Sequence, residues 1–220
     1  MCRYAVIDLE MCSIPRDLRK KGSRLGKEII QIGVALLDES YEITDSFNQY
    51  VCPEMGYIDS FIEHLTGIDH AAVKNAPKMA EAWDIFMQWL PEGTVMVSWS
   101  DTDSSQIRKE SEAKGFADKV PAGMLENWVD AQKLFAEKIK RKRQYSLEEA
   151  MIAADIIQEG RAHDGLTDAC NTALLFAKLK REPELKLNPI YEYAREEKKD
   201  TLSFSMKDLF ANLKIDTTEG

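Results

Sequence analysis

The 220-residue sequence is poor in cysteine, in long apolar runs and in positive charge, and each shortage narrows the class of protein. Its four cysteines, Cys2, Cys12, Cys52 and Cys170, are widely scattered and show neither a CxxC pair nor a ligand-like cluster, so reduced, structural thiols are expected. No apolar stretch approaches the length of a membrane span, and the first strand begins almost at Met1 with no basic-then-apolar leader. The expectation is a soluble cytoplasmic protein with no membrane partner. Basic residues are outnumbered, 29 Lys and Arg against 38 Asp and Glu, for a formal net charge of -9. That balance argues against coating nucleic acid by bulk attraction. It leaves a nuclease open, because carboxylates clustered to bind cations add negative charge where the chemistry happens. Two basic stretches interrupt the acidic background: "RDLRKKGSRLGK" after the first strand, and "KIKRKR" from Lys138 to Arg143.

What is present is an alternation of strands and helices without repeats or low-complexity segments. At 44% hydrophobic and 30% charged, the chain is long enough for one substantial α/β domain and short for two. "YAVIDLE", "EIIQIGVALLD" and "YEITDSFNQYV" read as strands, the last two separated by a turn at Asp38-Glu39-Ser40. "APKMAEAWDIFMQWL" carries Met79, Trp83, Phe86, Met87 and Leu90 at helical spacing, a packing face. A short strand "TVMVSW" follows, then a helix closed by Gly115 and a strand running into a helix at "NWVDAQKLFAEKI". A capping box at Ser146 and Glu149 starts the next helix, and "LTDACNTALLFAKLK" forms the last strong one. Three strands followed by alternating helix and strand predict an α/β fold with a mixed central sheet flanked by helices, as in the ribonuclease-H-like architecture. The expected organisation is one domain over residues 1–181. Residues 182–220 would be a partly helical C-terminal extension, docked through Phe204, Leu209 and Phe210.

The carboxylates stand out against this frame. Asp8 and Glu10 alternate with Leu9 on the first strand, so both point to one face, where they repel each other and lose hydration unless something positive joins them. "SWSDTDSSQI" adds Asp101 and Asp103 at a strand end and helix start. "RAHDGLTDACNTALLF" adds Asp168 in the first turn of the last helix and His163 five residues earlier, with Gly165 allowing a sharp turn that returns the imidazole to the same pocket. Each piece alone reads as a helix cap. As an ordered set they do not.

"IDLE", the aspartates of "SWSDTD" and "HDGLTDA" resemble the three motifs of the DEDDh 3′-to-5′ exonucleases, in particular the subgroup with KapD-like proteins and the histone-mRNA 3′ exonuclease. "EIIQIGVALLD" and "HLTGIDH" are similar to that family's connecting segments, and the resemblance spans roughly residues 4 to 180. It implies that Asp8, Glu10, Asp103 and Asp168 are the four acidic residues and His163 the naming histidine. Asp101 and Asp103 are rivals for the second motif; Ile107, four residues after Asp103, fits the apolar position the motif expects. Thr66, Gly67 and Ile68 match a segment that contacts the terminal nucleotide, and Met11 packs on the terminal base in this reading. Trp99 has two readings, a stacking platform or a buried core residue. His64 and His70 lack the His-to-Asp spacing of His163 and read as surface or packing residues.

Phosphodiester hydrolysis fits these residue types. Two divalent ions about 3.5–4 Å apart stabilise both the attacking and the leaving oxygen, and oxygen-only ligands select Mg2+ or Mn2+. Asp8 would bridge the ions, Glu10 and Asp168 complete the first, Asp103 help hold the second, and His163 take the proton from the attacking water. The expected partner is a single-stranded nucleic-acid 3′ end, RNA favoured over DNA by the subgroup resemblance alone. A silent binding or regulatory module on the same fold, and an endonuclease, are the competing function classes.

Overall fold

The computed structural model describes residues 3–19, 25–189 and 191. In chain order the elements are β1 (Tyr4–Ser13), β2 (Lys27–Leu37), β3 (Ile43–Tyr50), α1 (Ser60–Thr66), α2 (His70–Val73), α3 (Met79–Trp89), β4 (Val95–Ser98), α4 (Thr102–Lys114), β5 (Val129–Asp130), α5 (Ala131–Lys138), α6 (Leu147–Ala153) and α7 (Gly165–Arg181). The strands lie in the order β3-β2-β1-β4-β5; the β1/β2 and β2/β3 pairs are antiparallel, and β1/β4 and β4/β5 parallel. This is the mixed sheet the strand pattern predicts.

Two helical layers explain the residue pattern. Along β1, Val6 packs with α5, α6 and α7, whereas Ala5, Ile7 and Leu9 pack with α3 and α4. Since side chains alternate faces, Asp8 and Glu10 follow Val6 toward the α7 layer. Every residue of β2 after Lys27 is buried, as a strand covered on both faces requires. β3, at the edge, is mostly exposed. The Ser146–Glu149 capping box forms, and Gly115 closes α4 in the left-handed conformation.

The short helices α1 and α2 were not legible in the sequence. Each is set by an aspartate at its N-cap: Asp59 accepts the Ile62 N–H at 2.9 Å and Asp69 the Ala72 N–H at 2.7 Å. Of the described residues after α7, Leu185 and Asn188 contact the body. Leu185 is buried in the α5–α7 layer, and the Asn188 N–H donates to the Ala153 carbonyl at 2.8 Å. Phe204, Leu209 and Phe210 lie outside the described residues.

Candidate active site

The sheet gathers the carboxylates through four local devices. The first is a register shift between Glu10 and Met11, where β1 leaves its regular pairing with β2. Such irregularities re-aim the side chains beside them. Asp8 sits opposite Gly33 and Glu10 opposite Gln31.

The second device is a close approach of α7 to the sheet. A Cβ on Gly33 would come within 2.1 Å of the Gly165 carbonyl carbon, and one on Gly165 within 3.1 Å of the Asp8 carbonyl oxygen. Two facing glycines thus let the first turn of α7 rest on β2 directly opposite Asp8. The Gln31 side chain fixes the contact, accepting the Gly165 N–H at 3.0 Å and donating to Asn48 at 3.0 Å. The sharp turn expected at Gly165 is located elsewhere: Gly165 already belongs to α7, and the left-handed residue is His163, with φ of 62°. Glycine is needed at 165 for contact and not for φ. A strained non-glycine backbone beside an acidic cluster is a feature of functional sites.

Third, Asp103 replaces a missing strand partner. β4 pairs only with Tyr4–Val6, so the β1 edge is open beyond it, and the Leu9 N–H there donates to Asp103 at 3.1 Å. Asp103 is 7% exposed. The Asp101 side chain is 74% exposed and 4.0 Å from Lys133, so Asp103 is buried beside Leu9 while Asp101 faces solvent.

Fourth, α4 is locked to β2 by buried polar groups that the sequence did not flag. Gln106 donates to the Lys27 carbonyl and to Glu110, each at 2.9 Å, and Glu110 accepts the Ile29 N–H at 3.0 Å. Lys114 bridges Glu110 at 2.8 Å and Glu28 at 2.7 Å. Removing one member would leave buried charge unpaired, so the set holds α4, and with it Asp103, firmly in place.

On α7, Asp164 caps the helix by accepting the Thr167 N–H at 2.9 Å, and Asp168 accepts the His163 N–H at 2.7 Å. Ligand atoms of Glu10, His163 and Asp168 all lie within 4.8 Å of one another. Electrostatics tie in the remaining members. Burial, then Asp103, Glu10, Asp168 and Asp164, push the Asp8 carboxyl well above the usual range. Burial, then Asp168, Asp164 and Asp103, push Glu10 up to about 8, against a small opposing pull from Lys27. Burial raises Asp103 to about 7 against the opposing Leu9 hydrogen bond, and burial raises Asp168 against the His163 N–H. Asp164, an unforeseen member, adds to the negative field.

Among the described residues no Lys or Arg forms an ion pair with Asp8, Glu10, Asp103 or Asp168. Crowded oxygen donors with no basic side chain paired to them are the donor set that a hard divalent cation suits. The residues therefore fit Mg2+ or Mn2+.

The neighbouring positions behave differently. Met11 lines a cavity of about 430 Å³ together with Lys27, Asp101 and Thr102. Thr66 and Ile68 turn inward: the Thr66 hydroxyl donates to the Ile62 carbonyl at 2.9 Å and accepts the Ile68 N–H at 3.1 Å, and Ile68 is 2% exposed. Their side chains hold the turn together and are not presented to solvent. Gly67, left-handed at φ of 77°, closes α1 under the Arg161 guanidinium, which donates to the His64 carbonyl at 2.6 Å and so docks the His163 loop onto α1. Trp99 is a core residue, its indole N–H donating to the Tyr145 carbonyl at 3.0 Å. His64 and His70 are exposed.

A mixed five-stranded sheet with this acidic cluster between β1, α4 and α7 defines a nuclease domain of the ribonuclease-H-like class. The exonuclease family model RNase_T matches residues 5–176, and the chain belongs to that family. It is 32% identical over 184 residues to ERI1 exoribonuclease 2 of Danio rerio, covering 73% of this chain and 32% of that protein. It is 26% identical over 180 residues to the 3′-5′ exonuclease Snipper of Drosophila melanogaster, covering 72% of this chain and 63% of that protein. The matched region is thus less than two thirds of the length of these relatives. Among solved structures, the nuclease domain of 3′hExo, a DEDDh family member bound to rAMP, superposes with a TM-score of 0.69 at 25% identity, covering 84% of this chain and 96% of that one. The Mg2+- and Mn2+-bound form of S. pombe Pop2p shares the fold, with a TM-score of 0.60 at 16% identity. No helix among the described residues is long and apolar enough to cross a membrane.

Proposed function

We propose that the protein is a metal-dependent 3′-to-5′ exonuclease that removes 5′-mononucleotides from single-stranded 3′ ends, RNA in preference to DNA, in the cytoplasm. Residues 1–181 would form the exonuclease domain and 182–220 its extension. The observation that carries this reading is the convergence of four carboxylates and His163 on the sheet of an exonuclease-family domain. The preference for RNA is supported by relatives named as exoribonucleases, and the choice of metal by the Pop2p complex.

Asp8, Glu10, Asp103 and Asp168 would hold two Mg2+ or Mn2+ ions. When bound, these supply charge neutralisation at the attacking and leaving oxygens. The chain's own contribution is positional and acid–base. Asp168 holds the His163 backbone, and so sets where the imidazole stands at the mouth of the cluster. His163, exposed and close to Glu10 and Asp168, accepts the proton of the attacking water. The water oxygen bonds to the terminal phosphorus, the bond from phosphorus to the 3′ oxygen of the preceding nucleotide breaks, and that oxygen takes up a proton from solvent. The products are a 5′-mononucleotide and a strand shortened by one unit with a new 3′-hydroxyl. Met11 lines the space beside the terminal base, and the turn at Thr66, Gly67 and Ile68 shapes the opposite wall through its backbone.

The test is a degradation ladder on 5′-labelled single-stranded RNA and DNA of one sequence, with Mg2+, with Mn2+ and with chelator. Stepwise metal-dependent shortening from the 3′ end, faster on RNA, is expected. Internal cuts, 3′-phosphate products or full activity in chelator would overturn the reading.

A further inference from the structure

Two cavities lie side by side at the carboxyl ends of the parallel strands, and they share Asp101. The first, of about 430 Å³, starts at Met11 and is flanked by Lys27 and Lys109. The second, of about 220 Å³, lies between the start of α5 and the turn that follows it, bounded by Lys133 and by Arg141, Lys142 and Arg143. The two meet at Asp101, and the depression they outline runs from Met11, next to Glu10 in the chain, to the "KRKR" turn. The carboxyl edge of parallel strands is where α/β sheets take their ligands.

The charges along this depression are unevenly matched. Lys133 pairs with Asp130 at 2.9 Å, and Arg143 pairs with Glu149 at 2.7 Å while lying 4.2 Å from the centre of the Tyr145 ring. Arg141, Lys142 and Lys109 form no ion pair among the described residues. Exposed cations without ion-pair partners add little to folding stability, and here they stand on a protein of net charge -9. The backbone of the turn is nonetheless built to a fixed shape. The Arg141 N–H reaches back to the Ala136 carbonyl at 2.9 Å and the Lys140 N–H to Glu137 at 3.0 Å, closing α5 with Lys140 in the left-handed conformation at φ of 53°. Glycine is usual there, and a lysine costs on the order of 1 kcal/mol. The turn keeps a cation at that cost.

We infer that this depression is a phosphate-backbone track for single-stranded nucleic acid. It holds the strand on the 5′ side of the scissile end, with Arg141 and Lys142 as its distal anchors. The occupant follows from charge and position: the depression begins at Met11 and Thr102, the chain neighbours of Glu10 and Asp103, its Lys27 is the cation whose charge acts on Glu10, and a polyanion leaving the cluster along it passes the further cations. The inference rests on the exonuclease reading, which supplies the strand's direction.

Wild type and the double variant Arg141→Ser/Lys142→Ser, both as full chains, test it with two readouts. The first is binding of labelled tetranucleotides and of strands about sixteen nucleotides long, in RNA and DNA arms, measured by anisotropy in chelator across a salt series. The variant should bind the long strand roughly tenfold more weakly, with a salt dependence shallower by about 1.4, two contacts at about 0.7 each. Binding of the tetranucleotide should change less than twofold. The second readout is KM and kcat with Mg2+: KM should rise on the long strand only, with kcat unchanged. Equal affinities and salt slopes for wild type and variant on the long strand would overturn the track, as would equal losses on both lengths. If wild type binds in a length-dependent manner but never shortens the strand, the exonuclease reading fails while the track stands.

Discussion

At the residue scale, the site depends on which carboxylates share a face and which are turned away. Strand periodicity places Asp8 and Glu10 together without any structure, and the five-residue spacing of His163 and Asp168 survives as a direct backbone contact. Asp101 and Asp103 look alike in the sequence, and burial separates them: β4 stops short and leaves the Leu9 N–H for Asp103. Asp103→Asn should therefore abolish metal-dependent cleavage, whereas Asp101→Asn should stay within a few-fold of wild type; side-by-side ladder assays decide it. The reverse ranking would assign the second motif to Asp101. His163→Ala should lose about 10²- to 10⁴-fold in kcat, the usual range for a missing general base, while calorimetry still detects Mn2+ binding. An unchanged rate removes His163 from the proton transfer.

At the element scale, the site is a matter of how closely α7 and α4 approach the sheet. The strands, long helices and capping box were legible because each repeats a period or a local signal. The approach of α7 to β2 was not. It depends on Gly33, which looks like an interruption in "QIGV" until the helix is seen lying on it. The same holds for Gln106, Glu110 and Lys114, which as sequence are an ordinary solvated helix face and in the fold are buried and locked to β2 and Glu28. Gly33→Ala should push α7 outward, costing roughly 1–3 kcal/mol as overpacking does and about 10²-fold in rate as the cluster loses alignment. Thermal melts and kcat on one preparation measure both, and wild-type values in each would mean that the close approach is not required.

At the scale of the whole molecule, the cluster makes stability depend on pH and on metal. Groups whose proton affinity is raised by folding stabilise fully below their unfolded pKa, near 4, and lose that contribution as pH climbs through the folded values, about 7 for Asp103 and about 8 for Glu10. In chelator the melting temperature should thus fall between about pH 5 and about pH 8.5, and saturating Mg2+ or Mn2+ should flatten the fall. A metal-free melting temperature that rises over that range would mean the carboxylates are not crowded as described.

The central claim, that the carboxylates around Asp8 exist to hold metal, is tested most directly by thermal melts of wild type and Asp8→Asn at about pH 8.5, with chelator and with Mn2+. Asparagine removes one of the mutually repelling charges at nearly the same shape, so the variant should melt higher than wild type in chelator. Wild type should gain from Mn2+ by mass action, about 2.7 kcal/mol when free ion is about 100 times its dissociation constant, and the variant far less. If Asp8→Asn melts below wild type in chelator, or gains as much from Mn2+ as wild type does, Asp8 is not a metal ligand and the account built on it is wrong.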